Sequence, residues 1–165
     1  MFTVEELNRE MRLDYPRHKI VEWSPMHFRL CDYNDFDRNT FRRFPNYMEL
    51  LEHYIRSGVA YTAICDGEVL AMWGAWDLWD GVSEAWLIPS RNVDRKTISF
   101  HRGALLFFDL FCRRNRTKRL QIHVCSANLR AVRWAERCYF EKEGVLRNYG
   151  PGGEDYIIYA RVFDD

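Results

Sequence analysis

Apolar and polar positions change period along this chain, and each change marks an element. The opening stretch TVEELNREM reads as a short helix, with Thr3 and Glu6 at the spacing of a capping box that satisfies two orphan amides. HKIVEWSPMHFRLC, starting at His18, reads as one or two short extended pieces broken at Pro25. In FPNYMELLEHYIRSG, Met48, Leu51 and Ile55 share a helical face, Pro45 suits the first turn and Gly58 ends the element. VAYTAICDGEVLAMWGAWDLW is two β-branched and aromatic runs joined at Asp66-Gly67; both residues tolerate positive φ, so the pattern predicts a hairpin. VSEAWLIP predicts a third strand.

A basic loop follows, then a helix from about Thr97 to Arg114 and a strand RLQIHVCS. A helix NLRAVRWAERC comes next, and YFEKEGVLR and DYIIYARVF close the chain as two strands around Gly150-Pro151-Gly152-Gly153. Antiparallel strands, then strand, helix, strand, helix, then a hairpin predict an α+β fold. Its sheet is mixed and mostly antiparallel, with one central β-α-β crossover, in a single domain spanning 1–165. Helices that connect parallel strands start at the carboxyl edge of the sheet, and their free first-turn amides attract anions. The crossover is therefore where a ligand is expected.

Composition narrows the class. With 165 residues, 47% hydrophobic and 16% aromatic, the chain can bury a globular core. No run reaches the roughly 18 apolar residues of a bilayer span, and MFTVEELNREMRLD is acidic where a signal peptide is basic. Those features predict a cytoplasmic protein without membrane contact. The five cysteines (Cys31, Cys65, Cys112, Cys125, Cys138) show no CxxC or Cys/His spacing, so they read as reduced, buried thiols and no structural zinc is expected.

The formal net charge of zero hides a surplus. Residues 91–119 hold nine Lys/Arg (Arg91, Arg95, Lys96, Arg102, Arg113, Arg114, Arg116, Lys118, Arg119) against Asp94 and Asp109. Nucleic acid is disfavoured as the partner of that surplus, because the total charge is neutral and only Phe100 interleaves with the arginines as a stacking ring.

The string VCSANLRAVRWAERCYFEKEGVLRNYG carries a family resemblance. With its Asn after a strand, Ala131 three residues on and an aromatic near the helix middle, it resembles the GNAT superfamily of N-acetyltransferases, which bind acetyl-CoA. The element order from about Val59 to Phe163 is similar too. The resemblance implies acetyl-CoA as cosubstrate and places the family's pyrophosphate loop, usually Arg/Gln-x-x-Gly-x-Gly/Ala, on Lys96-Thr97-Ile98-Ser99-Phe100-His101. Its glycines are missing here. Arg95, Lys96, Arg102 and the Thr97 or Ser99 hydroxyl can compensate by charge and hydrogen bonding, and a register two residues along would place Gly103 at the motif's last position.

The resemblance also implies that the strand before the loop gives a backbone amide to the thioester carbonyl, at Leu87 or its neighbour Ile88, and that Asn128 holds the pantetheine amides. Asn128 reads equally as a helix N-cap. The Tyr that many family members carry seven residues after this Asn is Ala135 here, beside Trp134. Tyr139 stands where the family has a Gly at the helix end, at a cost on the order of 1 kcal/mol if φ is positive. The Trp86-Leu87-Ile88-Pro89-Ser90 string, the glycine-poor loop and Trp134 are similar to acetyltransferase-like proteins of tailed bacteriophages, including internal virion proteins.

Acetyl transfer to an amine needs a proton acceptor. Glu84 reads as a general base or as a solvated strand-edge carboxylate; His123 reads as a base or as a hydrogen-bonded residue of a central strand. Trp73 and Trp79 face one side of a strand and Trp76 the other, so one face lines an acceptor pocket or partner surface, or both are covered. Asp77 and Asp80 read as attractors of a cationic amine or as turn residues before Gly81.

The resulting expectation is an acetyl-CoA-dependent N-acetyltransferase acting on a primary amine of a small molecule or a protein. The alternative is a catalytically inactive GNAT-fold protein serving a partner or a virion, located in the host cytoplasm or the particle.

Overall fold

The computed structural model describes residues 2–163. A seven-stranded sheet in the order β1-β2-β3-β4-β5-β7-β6 organises the chain. Its strands are β1 (His18–Glu22), β2 (Gly58–Cys65), β3 (Glu68–Trp79), β4 (Val82–Pro89), β5 (Arg119–Cys125), β6 (Glu141–Leu146) and β7 (Tyr156–Val162). Every neighbouring pair is antiparallel except β4–β5. That is the α+β fold with one central crossover expected from the element order. Asp66 and Gly67 turn the β2–β3 hairpin at φ 52 and 84.

The helices are α1 (Val4–Glu10), α2 (Pro25–Leu30), α3 (Asp35–Arg43), α4 (Tyr47–Ile55), α5 (Thr97–Asn115) and α6 (Leu129–Arg137), with a 3-10 helix over Arg91–Lys96. α1, α5 and α6 cover one face. Leu7, Phe107, Phe108, Phe111 and Ala135 pack there against Tyr61, Ala75, Ala85, Leu120, Ile122 and Tyr159. Short helices α2, α3 and α4 cover the other face, packing Phe28, Phe41, Tyr47 and Leu51 on Met72, Trp86 and Ile88.

Two expectations are corrected here. Pro25 does not merely break an extended run: it opens α2, because proline's fixed φ and missing N–H suit a first helical residue and the Ser24 amide donates to His27 Nδ1. Gly58 does not end α4, which stops at Ile55; it opens β2, where an added Cβ would meet Ala75 O at 2.1 Å. α3 has no counterpart in the hydrophobic pattern. The Asn34 side chain accepts from the Asp37 amide to start it, and of its two phenylalanines, Phe36 and Phe41, only Phe41 packs against the core cluster.

At the end of α6, Tyr139 takes φ 63 with its side chain 71% exposed, so the helix still terminates in a left-handed residue without glycine. All five cysteines are free, and burial pushes the Cys31, Cys112 and Cys138 thiols up to about 12.

The capping box of α1 is present, and Arg114 adds to it: its two terminal nitrogens donate to the Glu6 carboxylate at 2.8 and 3.0 Å. The Arg114 bonds, then the Thr3 amide, hold the Glu6 carboxyl down at about 2. A carboxyl depressed in the folded state adds stability that is complete above its unfolded value of about 4.3 and is lost as pH falls toward 2. Arg114→Ala is expected to raise the Glu6 midpoint toward the ordinary carboxylate range, read by NMR titration.

Candidate active site

β4 and β5 pair only across Val82–Arg119, Ser83–Leu120 and Glu84–Gln121. Beyond Glu84, β4 runs on to Pro89 against β3 alone, and beyond Gln121, β5 runs on to Cys125 against β7 alone. The sheet forks at its carboxyl edge. The Ser90 amide donates to Leu70 O at 2.9 Å, which fixes the β3 side of β4. Alternation along an antiparallel ladder then turns the Ile88 amide toward β3 and the Leu87 amide toward the fork, where β5 has left it unpaired. Ile88 is 3% exposed and spent on the core, so of the two expected donors only Leu87 faces the cleft.

Glu84 and Gln121 form the base of that fork, and side-chain alternation puts Glu84, Gln121 and His123 on one face of the sheet. Glu84 Oε2 accepts from Gln121 Nε2 at 3.0 Å, and His123 Nδ1 lies 3.1 Å from Glu84 Oε1. The side chains of His123 and Glu84 are 16% and 17% exposed. Despite that distance His123 Nδ1 makes no aligned hydrogen bond.

Aromatic rings enclose the pair. Tyr149 stacks on His123 with centroids 5.2 Å apart, and Tyr156 meets Tyr149 at 5.4 Å. Trp76, opposite Glu84 in the β3–β4 register, stacks on Tyr54 at 4.4 Å. Burial first, then the negative charge of Glu84, raises the Tyr149 phenol above its usual value. It therefore keeps its proton at neutral pH. A cavity of about 200 Å³ lies further along the same face, between α3 and the β6–β7 connection, lined by Phe36, Thr40, Arg43, Cys125, Glu154 and Tyr156.

The loop above the fork and the first two turns of α5 carry uncompensated charge. Among the described residues Arg95, Lys96 and Arg102 have no hydrogen bond or ion pair, whereas Arg91, Arg114 and Arg119 are engaged by Asp32 and Asp35, Glu6 and Glu143. No acidic residue and no side-chain cap occupies the first turn of α5. Ser99 is exposed; the Thr97 hydroxyl is turned back to Asp94 O at 3.0 Å. Asp94 pairs with Arg130, tying the loop to the first turn of α6.

His101 points inward, with Nδ1 3.6 Å from Cys138 Sγ. Gly103 is roughly one and a half turns inside α5, where a Cβ would meet Met11 Sδ at 3.7 Å, so it faces the α1 side and not the loop. The helix has begun at Thr97, so Gly103 lies inside α5. Asn128 caps α6, its Oδ1 accepting from the Ala131 amide at 3.2 Å, which leaves its Nδ2 as donor. Trp134 packs between Phe100 and Phe108 and its buried Nε1 has no partner.

Of the sequence candidates, Glu84 and His123 are brought into contact, Leu87 lies on the β4 arm of the fork, Arg95, Lys96, Ser99 and Arg102 lie in the 3-10 helix and the first two turns of α5, and Asn128 caps α6. Asp77 and Asp80 lie at the closed end of β4: Asp77 is a β3 residue opposite Ser83 and accepts from its Oγ at 2.6 Å, and Asp80 sits in the turn before Gly81. Tyr54, Gln121, Tyr149 and Tyr156 were not foreseen. Only Gln121, two residues before His123 and so on its face, had a readable signal.

No protein-family model matches the chain, and no curated protein matches it in sequence. Solved structures do. An IAA acetyltransferase from Bacillus cereus aligns with 88% of this chain and 99% of its own at TM-score 0.66 and 12% identity. Ard1 from Thermoplasma volcanium aligns with 90% and 99% at TM-score 0.69 and 15% identity. A GNAT family acetyltransferase from Elizabethkingia anophelis, solved with acetyl-CoA bound, aligns with 90% and 99% at TM-score 0.62 and 16% identity. The chain has the fold of the GNAT acetyltransferases.

Proposed function

We propose that the protein is an acetyl-CoA-dependent N-acetyltransferase acting on a primary amine. The observation that supports this reading best is the fork itself: an unpaired Leu87 amide and the Glu84–His123 contact lie beneath a helix entrance where Arg95, Lys96 and Arg102 have no partner of their own. Arg95, Lys96 and Arg102 with the first amides of α5 would take the diphosphate, and Asn128 Nδ2 an amide carbonyl of the pantetheine arm.

The amine nitrogen attacks the thioester carbonyl, whose developing oxyanion accepts from the Leu87 N–H. Glu84 takes the amine proton, with His123 beside it to share the charge. The C–S bond breaks, and the departing thiolate needs a proton. Ala135 is fully buried and has no phenol to give, so the donor is Tyr149, the ring stacked on His123.

A second reading is a GNAT-fold protein without catalysis, bound to a partner or a virion; Ser99 in place of a loop glycine favours it. Incubation with acetyl-CoA and a panel of primary amines separates the two. Free thiol appearing in step with an acetylated amine, detected by mass spectrometry, supports the enzyme. Saturable acetyl-CoA binding without thiol release across the panel supports the second reading.

A further inference from the structure

A second cluster of ligating groups sits away from the fork, where β1 begins and the β2–β3 hairpin turns. His18 and Cys65 are directly opposed in the β1–β2 register, and Asp66 follows Cys65 at φ 52. One nitrogen, one sulfur and one carboxylate oxygen from these residues lie within 4.8 Å of one another. Their arrangement is convergent. Asp66 Oδ2 receives the Cys65 thiol at 3.6 Å and lies 3.9 Å from His18 Nε2, while Oδ1 is held by Arg17 Nε.

His18 Nε2 is the second observation. It is sealed from solvent and has no hydrogen-bond partner, a costly state for a ring nitrogen unless something occupies the space in front of it. A tetrahedral zinc ion with bonds of 2.0–2.3 Å requires ligand atoms about 3.3–3.6 Å apart. The observed separations need only side-chain adjustment to close on that geometry.

We propose that His18 Nε2, Cys65 Sγ and an Asp66 carboxylate oxygen form a zinc site with a water in the fourth position. The Cys65 S–H bond breaks, its proton goes to solvent and the thiolate binds the ion. Thiolate and carboxylate together neutralise Zn²⁺, so the nearby Arg17 and Lys96 meet a site without net charge. Nitrogen and sulfur ligands exclude calcium and magnesium, which take oxygen shells. Arg17 orients the carboxylate from behind, and the ion staples the start of β1 to the β2–β3 turn.

Cobalt(II) titration of the reduced, metal-stripped chain tests this. The expected result is one cobalt per chain with a thiolate-to-metal charge-transfer band, displaced by one equivalent of zinc. Cys65→Ser should abolish the band, and Arg17→Ala should weaken zinc binding by about 10- to 100-fold. Thermal melting of each variant separates lost ligation from lost folding. Absence of the band in the unmodified chain, or its persistence in Cys65→Ser, overturns the site.

Discussion

Glu84→Gln is expected to lower the acetyl-transfer rate by about 10²- to 10⁴-fold, the range that a positioned general base supplies. The substitution keeps the shape and the oxygen that accepts from Gln121 Nε2, so the fork and the melting temperature should hold. What it removes is the carboxylate, and with it a proton acceptor and the charge facing His123 Nδ1. Because neither group touches the proposed diphosphate site, KM for acetyl-CoA should change little, and the loss should fall on kcat. His123→Gln is expected to cost less than Glu84→Gln, since it removes the neighbour and leaves the carboxylate. If instead the histidine variant carries the larger loss, the roles are exchanged. A Glu84→Gln chain turning over at the original rate would remove this residue from the chemistry altogether.

The parts of the fold and of this site that could be read from the sequence are those set by local rules. Asp66-Gly67 had to turn, the charged loop had to precede a helix, and Glu84 and His123 sat on strands of opposite rank in a crossover. Their meeting was not legible, because it depends on a register, Glu84 against Gln121, that nothing local fixes. The aromatic wall is similarly non-local: Tyr54 comes from α4, Trp76 from β3 and Tyr149 from the segment before β7.

α2 was hidden for another reason. Six residues beginning with proline look like a break until a serine before it and a histidine three residues after that serine are seen bonded. Gly58 was misplaced because its role is a close approach to Ala75 across the sheet and not a helix stop. The cysteine spacing predicts buried, reduced thiols and no zinc, but Cys65 is only partly buried, and cross-strand pairing, not sequence spacing, gathers it with His18 and Asp66.

Acetyl-CoA at about a hundred times its dissociation constant is expected to stabilise the chain by about 2.7 kcal/mol, a rise of roughly 5–10 °C in Tm for a domain of this size. The combined variant Arg95→Ala, Lys96→Ala, Arg102→Ala should abolish most of that rise, with affinity lower by about a hundredfold or more. None of the three has an internal partner, so their removal should leave the ligand-free Tm in place. Asp94→Asn carries the opposite sign. Asp94 is an acidic group beside the same helix start, and removing its charge lessens repulsion of the diphosphate while releasing Arg130 toward it. Affinity should rise by about two- to fivefold, and the gain should shrink as salt is added. Opposite shifts from the two variants would locate the diphosphate at the loop even if no amine were ever acetylated. Unchanged binding in both would place it elsewhere, however well the fork fits.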